Sequence, residues 1–170
     1  MKIALRVATV LSWFNIIFWG MIVVLGLLGS AVVGQMPLVV SLVLLSAIPL
    51  NSFAALRLHS SIRYTGVPLN HQTPVGIRFV GLIALFFGFL LIFLGFSILG
   101  NPGAMMDSMK AAISQMPEDT RGMYTFLLNK VFVLLLGVAF LFLGLSDAIN
   151  VVLNLRLLRW YYLVHKRDVS

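Results

Sequence analysis

The sequence predicts an all-α fold, an integral membrane four-helix bundle. Hydrophobic residues make up 61% of the 170 residues, and charged residues make up only 10%. A soluble domain has about 45–50% apolar and about 25% charged residues, so this excess cannot be hidden in a water-soluble core. Four apolar runs also reach the ~20 residues that a helix needs to cross a bilayer. We therefore predict a single transmembrane domain over residues 1–170.

The four predicted spans follow from the apolar runs and from the polar or turn-forming residues that bound them. The first run is longer than the apolar core of a signal peptide, which has about 7–15 residues. We therefore interpret Gly29-Ser30-Ala31 as part of an uncleaved span, although it resembles a cleavage site. The predicted spans are residues 7–33, 38–56, 79–99 and 131–158.

The predicted loops differ in length. The connection at 34–37 is short, so the first two helices should be antiparallel neighbours. The longest loop covers residues 101–122, on the outer side of the membrane. Within it, residues 103–116 have an amphipathic pattern, which predicts a helix lying in the headgroup plane.

Basic residues are concentrated on one side of the four spans. Nine lysines and arginines flank that side, and three flank the other. The positive-inside rule therefore predicts that both termini are cytoplasmic, as in a bacterial inner membrane protein. These flanks and their attraction to anionic lipid account for the formal net charge of +7, so we predict no nucleic-acid partner. The predicted lipid and orientation anchors are Arg6, Arg57, Arg78 and Arg156.

Polar residues inside the spans form a second pattern. Asp147 and Asn150 lie three residues apart, so they share one face of the fourth helix. Asn15 and Asp147 each lie nine residues from the arginine that closes their span, about 13 Å along a helix. We predict one polar cluster in the cytoplasmic half of the bundle. Its members are Asn15, Asn51, Asp147 and Asn150.

Three interpretations of this cluster stay open at the level of sequence. Its side chains can join helices by hydrogen bonds, form a proton, ion or substrate site, or contact another subunit. A different register of the fourth span, over residues 124–146, would leave Asp147 near the interface. The aromatic group Trp160-Tyr161-Tyr162 is expected at the headgroup level, and it favours the register that keeps Asp147 inside the membrane.

Glycines recur every seven residues in the third and fourth spans, which places them on one face of each helix. Small residues let membrane helices approach closely, so we predict that these faces pack against other helices. The packing glycines are Gly81, Gly88 and Gly95 in the third span and Gly137 and Gly144 in the fourth.

The two predicted hairpins look related to each other. Each begins after an arginine, Arg6 or Arg78, and ends in Asn-x4-Leu-Arg-Leu, which starts at Asn51 or Asn150. Parallel repeats of this kind occur in membrane proteins. The alternative is a coincidence between leucine-rich helix ends.

Motifs for chemistry are missing from the sequence. It contains no cysteine, and its histidines fall in segments predicted to be polar and cytoplasmic, at spacings that match no zinc motif. A nucleophile, a base and a stabilising group cannot be assembled, so we predict no enzyme, no metal site and no cofactor. The histidines are His59, His71 and His165.

The leading functional prediction is a non-catalytic accessory or structural subunit. Such a protein would contact the lipid bilayer and pack against other membrane subunits or against a second copy of itself. The alternative is a small transporter or proton-coupled carrier that uses the polar cluster around Asp147.

Overall fold

A computed structural model of the chain describes residues 2–33, 36–64, 69–115 and 118–167. These residues are almost all helical, and no strand occurs among them. The helices are α1 (Lys2–Val33), α2 (Met36–Leu45), α3 (Ala47–Arg63), α4 (Gln72–Val75), α5 (Gly81–Gly100), α6 (Pro102–Ser114), α7 (Glu118–Tyr124) and α8 (Lys130–Arg167). A π-helical turn covers Gly76–Val80, and a 3-10 turn covers Thr125–Leu128.

Four helical segments are long and apolar enough to cross a membrane. The predicted all-α membrane fold with four spans is therefore confirmed. The cytoplasmic location of both termini stays a prediction. The four segments are Lys2–Ser30, Met36–Arg63, Gln72–Gly100 and Lys130–Val164.

The second and fourth spans continue beyond their predicted ends. The second ends at Arg63 instead of residue 56, and α8 ends at Arg167 instead of residue 158. Burial explains the first extension, because Leu58 is 0% exposed and continues the inward face of α3. Hydropathy therefore marked where the apolar run stops, whereas the helix continues as long as one face stays packed.

The second span is interrupted at Ser46, between α2 and α3. Pro49 has no backbone N–H to donate to the carbonyl of Leu45, so one helical hydrogen bond is missing at this point. The Ser46 hydroxyl instead donates to the carbonyl of Val43, one turn earlier. The interruption therefore lies about one turn before Asn51.

The chain forms two compact units. Unit 1 consists of the described residues of Met1–Phe87 and Ser146–Ser170, and unit 2 consists of those of Gly88–Leu145. Helices α5 and α8 contribute to both units. The hydrophobic core of unit 1 joins α1, α3, the π-helical turn and the C-terminal part of α8. It contains Ala8, Leu58, Ile77, Leu157, Leu158 and Tyr161.

Buried positions repeat between α3 and the C-terminal part of α8. The shift in residue number that takes Asn51 to Asn150 pairs seven of the eight buried residues of α3 with a buried residue of α8, and the eighth, Ser61, pairs with the half-buried Trp160. The pairs are Ala47 with Ser146, Ile48 with Asp147, Asn51 with Asn150, Ser52 with Val151, Ala55 with Asn154, Leu58 with Leu157, and His59 with Leu158.

A second shift, which takes Gly26 to Gly95, relates α1 to the third span. A methyl group added at Gly26 would lie 2.8 Å from the side chain of Leu42, and one added at Gly95 would lie 2.7 Å from that of Leu141. The shift between α3 and α8 also takes Leu42 to Leu141. The same glycine–leucine contact therefore occurs in each hairpin.

The two arginines that precede the hairpins do not occupy equivalent positions. Under the shift that takes Gly26 to Gly95, Arg78 corresponds to Thr9, and Arg6 corresponds to Val75. Both arginines are exposed. The two hairpins align through the buried positions of their helices. Exposed side chains such as these arginines therefore need not fall at equivalent positions.

Candidate functional site: a buried polar seam

The predicted polar cluster lies in unit 1, on α1, α3 and α8. Asn15, Asn51, Asp147 and Asn150 are each at most 1% exposed. They belong to a larger set of polar side chains on the same three helices, which we call the polar seam. The polar seam consists of Thr9, Ser12, Asn15, Trp19, Asn51, Ser52, His59, Ser146, Asp147, Asn150 and Asn154.

Asn150 joins three helices by hydrogen bonds. Its Oδ1 accepts from the Oγ of Ser12 on α1 at 3.1 Å and from the Nδ2 of Asn154 on α8 at 3.1 Å. Its Nδ2 donates to the Oγ of Ser52 on α3 at 3.1 Å. The bonds to Ser12 and Ser52 join different helices, and such bonds average ~0.6 kcal/mol each in membrane proteins, so this amide contributes about 1 kcal/mol to the packing of the three helices.

Asn51 is the counterpart of Asn150 in the first hairpin, yet its oxygen has no donor. The shift between α1 and the third span takes Ser12 to Gly81, which has no hydroxyl. A methyl group added at Gly81 would lie 2.9 Å from the Oδ1 of Asn51, so the contact is retained without the hydrogen bond. Among the described residues nothing donates to this Oδ1.

The carboxyl group of Asp147 is held by α1. The indole Nε1 of Trp19 on α1 donates to its Oδ1 at 3.2 Å. The sequence reasoning missed Trp19. It follows Asn15 by four residues on α1, so helical spacing alone would have placed it on the same face.

His59 lies inside the polar seam, not in the polar cytoplasmic loop where the sequence placed it. It is 3% exposed, because α3 continues through it to Arg63. Its Nε2 lies 2.9 Å from the Oδ1 of Asn154, and its Nδ1 lies 3.2 Å from the Oγ1 of Thr9. A continuous chain of hydrogen bonds thus runs from Thr9 through His59 and Asn154 to Asn150.

Four buried oxygens of the polar seam have no hydrogen-bond donor within the described part of the chain. They are the Oδ1 of Asn15, the Oδ1 of Asn51, the Oγ of Ser146 and the Oδ2 of Asp147. Their side chains are all at least nine-tenths buried. Amide, hydroxyl and carboxylate oxygens accept hydrogen bonds and bind hard cations. These oxygens can therefore accept a proton donor or bind a hard cation.

A metal site built from histidine, cysteine or acidic side chains does not occur among the residues described. No group of three or more histidine, cysteine or acidic side chains close enough to hold a metal ion occurs there. Asp147 is the one carboxylate in the polar seam, and its hydrogen-bond donor is the indole of Trp19.

The predicted packing glycines make close contacts, most of them in unit 2. A methyl group added at Gly144 would lie 2.6 Å from the carbonyl oxygen of Gly88, and one added at Gly95 would lie 2.8 Å from that of Gly137. Gly81, in unit 1, contacts Asn51 as described above. The glycine faces are thus filled by helices of this same chain.

The four predicted anchor arginines are exposed, and each stands near one end of a spanning segment. The guanidinium of Arg57 lies over the ring of Phe53 at 4.8 Å, and that of Arg78 lies over Tyr162 at 6.0 Å. Arg6 and Arg156 complete the set. Whether this end faces the cytoplasm stays a prediction.

The predicted amphipathic helix of the longest loop corresponds to α6. Its N-terminus is capped by Asn101, whose Oδ1 accepts from the backbone N–H of Ala104 at 3.1 Å. Ile113 is its buried side chain. The last predicted residue of this helix, Met116, lies outside the described residues. Nothing in the fold assigns α6 to the headgroup plane, so that location stays a prediction.

Neither a family model, nor a curated protein, nor a solved structure matches this chain, so the polar seam is interpreted from its geometry alone.

Proposed function

We propose that this small multi-pass membrane protein is a carrier that binds a proton or a monovalent cation at Asp147. One observation carries the proposal: among the described residues, the single buried carboxylate of the polar seam has one oxygen without a donor, and three other buried oxygens of the seam also have none. A buried acceptor without a partner costs free energy, and a carboxylate inside a span costs more. A bound proton or cation would remove that cost.

The repeated hairpins support a binding role for this place. In membrane carriers built from repeats, the binding site lies where the repeats meet, and interrupted helices often contribute to it. Here Asn51 belongs to the first hairpin and Asp147 to the second. The interruption at Ser46 precedes Asn51 by about one turn.

The hydrogen-bond chain of the polar seam supplies a route from the protein surface. His59 lines an open groove of about 190 Å³ together with Thr9 and Arg63. From His59 the chain of hydrogen bonds continues inward to Asn150, which follows Asp147 by one helical turn. The polar seam therefore joins a surface groove to the neighbourhood of the carboxylate.

The experiment is a flux measurement in proteoliposomes loaded with a fluorescent indicator selective for H⁺, Na⁺ or K⁺. Gradients of protons, Na⁺ and K⁺ are imposed separately, which distinguishes the three cations. We expect the wild-type protein to carry one of them and Asp147→Asn to lose that flux, because the amide cannot neutralise a positive charge. Asp107→Asn serves as the matched control, since Asp107 is an exposed aspartate paired with Lys110.

Two results would contradict the carrier. The first is a wild-type protein, folded in the liposomes, that moves none of the three cations. The second is an Asp147→Asn protein of normal helical content whose flux equals that of the wild-type and of Asp107→Asn.

A second candidate function is the non-catalytic accessory subunit. The observation that favours it is an exposed aromatic face on α5, since aromatic side chains are enriched at protein interfaces. A photo-crosslinking amino acid placed at Phe93, in the middle of this face, would capture a neighbouring protein or a second copy of the chain. Capture of lipid alone would dismiss this role. The face consists of Phe89, Phe93 and Phe96, which are 59%, 74% and 63% exposed.

A further inference from the structure

A groove in unit 1 combines two arginines with three leucines. It lies where the C-terminal part of α8 passes the π-helical turn, and its volume is about 360 Å³. None of its lining residues is acidic. The lining residues are Arg78, Leu155, Leu158, Arg159, Tyr162 and Leu163.

The charged part of the groove is arranged for an anion. Arg78 and Arg159 are both exposed, so their guanidinium groups are available to a ligand. Arg78 lies over the ring of Tyr162 at 6.0 Å, which limits the positions that its side chain takes. Guanidinium groups bind phosphate by paired hydrogen bonds, and two of them flank this groove.

The apolar part of the groove is arranged for acyl chains. Leu155, Leu158 and Leu163 also line it, at the end of a helix that is long and apolar enough to cross a membrane. A soluble phosphate compound would gain nothing from these side chains. A phospholipid would place its phosphate on the arginines and its chains on the leucines.

The repeat supplies a second groove for comparison. The two shifts described above map Arg78 onto Thr9, Arg159 onto Ser60 and Tyr162 onto Arg63, and the residues Thr9, Ser60 and Arg63 line another groove. That groove has about 190 Å³, compared with about 360 Å³, and one arginine instead of two. The pair of cations is thus specific to one copy of a repeated feature.

The local helix geometry is a further difference at this place. Arg78 lies in the π-helical turn Gly76–Val80, whereas Thr9 lies in the regular helix α1. π-helical turns are rare in proteins, and a large share of those that occur lie at functional sites.

From these observations we infer that the groove of Arg78 and Arg159 is a binding site for the headgroup of an anionic phospholipid. The two arginines of the groove favour this ligand class over a zwitterionic lipid. Its leucines favour it over a soluble phosphate compound.

The test is native mass spectrometry of the detergent-solubilised protein, titrated with phosphatidylglycerol or phosphatidylcholine. We expect the wild-type protein to bind phosphatidylglycerol at least ~10-fold more tightly. Arg78→Gln and Arg159→Gln should each weaken that binding by about fivefold and leave phosphatidylcholine binding unchanged. The double substitution Arg78→Lys/Arg159→Lys retains the charge and should retain the preference.

The controls separate this site from general surface charge and from free phosphate. Lys110→Gln removes an exposed cation that is not one of the predicted lipid anchors and lines neither groove, and Arg63→Gln removes the arginine of the second groove. An equal loss in either control, or no loss in Arg78→Gln/Arg159→Gln, would overturn the site. Displacement of bound phosphatidylglycerol by excess inorganic phosphate would overturn the lipid as its ligand.

Discussion

Units 1 and 2 hold membrane helices together by different means. In unit 1, α1, α3 and α8 are joined by side-chain hydrogen bonds, with Asn150 bonded to Ser12 and Ser52. In unit 2, α5 and α8 approach at glycines, and a methyl group added at Gly144 would lie 2.6 Å from the backbone of Gly88. Unit 1 is held together by hydrogen bonds between polar side chains. Unit 2 is held together by close backbone contacts at glycines, which have no side chain.

This difference shows which unit has side-chain atoms that could bind a ligand. A contact between glycines fixes the distance between two backbones and leaves no side chain for a ligand. A polar contact is weaker per bond, but its atoms accept other partners when a protein donor is missing. The four oxygens without donors accordingly occur in the polar seam of unit 1.

The largest effect is expected from breaking the glycine contact of unit 2. In Gly144→Leu the added side chain meets the carbonyl of Gly88 and the backbone of Ile92, neither of which can shift independently of its helix. Overpacking of this kind costs about 1–3 kcal/mol or more of unfolding free energy. Unfolding by SDS in mixed micelles measures it. Gly20→Leu is the control, because nothing lies within 4 Å of a methyl group at Gly20, and an equal loss there would refute the contact.

An intermediate effect is expected from removing the three hydrogen bonds of Asn150. Asn150→Leu should lower the unfolding free energy by about 2 kcal/mol, the sum of three hydrogen bonds of ~0.6 kcal/mol each, two between helices and one within α8. The same substitution at its counterpart, Asn51→Leu, should cost less than half as much, because the Oδ1 of Asn51 has no donor to lose. Both values come from the same SDS titration. Equal losses would show that the two hairpins do not differ as described.

The smallest effect is expected from exchanging the residues that face the two asparagines. Ser12→Gly removes the donor to Asn150 and should cost about 0.6 kcal/mol. Gly81→Ser supplies a donor to Asn51 and should stabilise the protein by a similar ~0.6 kcal/mol, since the Oδ1 that it meets ends a movable side chain. Far-ultraviolet circular dichroism during thermal unfolding reports both. A loss of more than ~1 kcal/mol in Gly81→Ser would contradict the equivalence of the two positions.

Composition and hydropathy were sufficient to predict the four spans, since each exceeds the length that a bilayer requires. They were also sufficient to predict that Asn15, Asn51, Asp147 and Asn150 are buried, because the cost of polar groups in lipid forces them inward. These predictions depend only on transfer free energies, which the local sequence carries.

Contacts between distant segments were not predictable in the same way. His59 was assigned to a loop because it follows Arg57 and precedes two serines, but packing against α1 and α8 keeps it helical and buried. Which asparagine is fully bonded depends on the residue that faces it from another helix, Ser12 or Gly81. The sequence of a single span does not show which residue of another helix faces its asparagine.

The doubled register has a consequence for how this protein can change. Seven of the eight buried positions of α3 have a buried counterpart on α8, and two of these pairs, Asn51 with Asn150 and Leu58 with Leu157, hold identical residues. One asparagine can therefore be fully hydrogen-bonded while its counterpart has an oxygen without a donor among the described residues. Specialisation in such a molecule needs no new architecture, only divergence between duplicates that already share it.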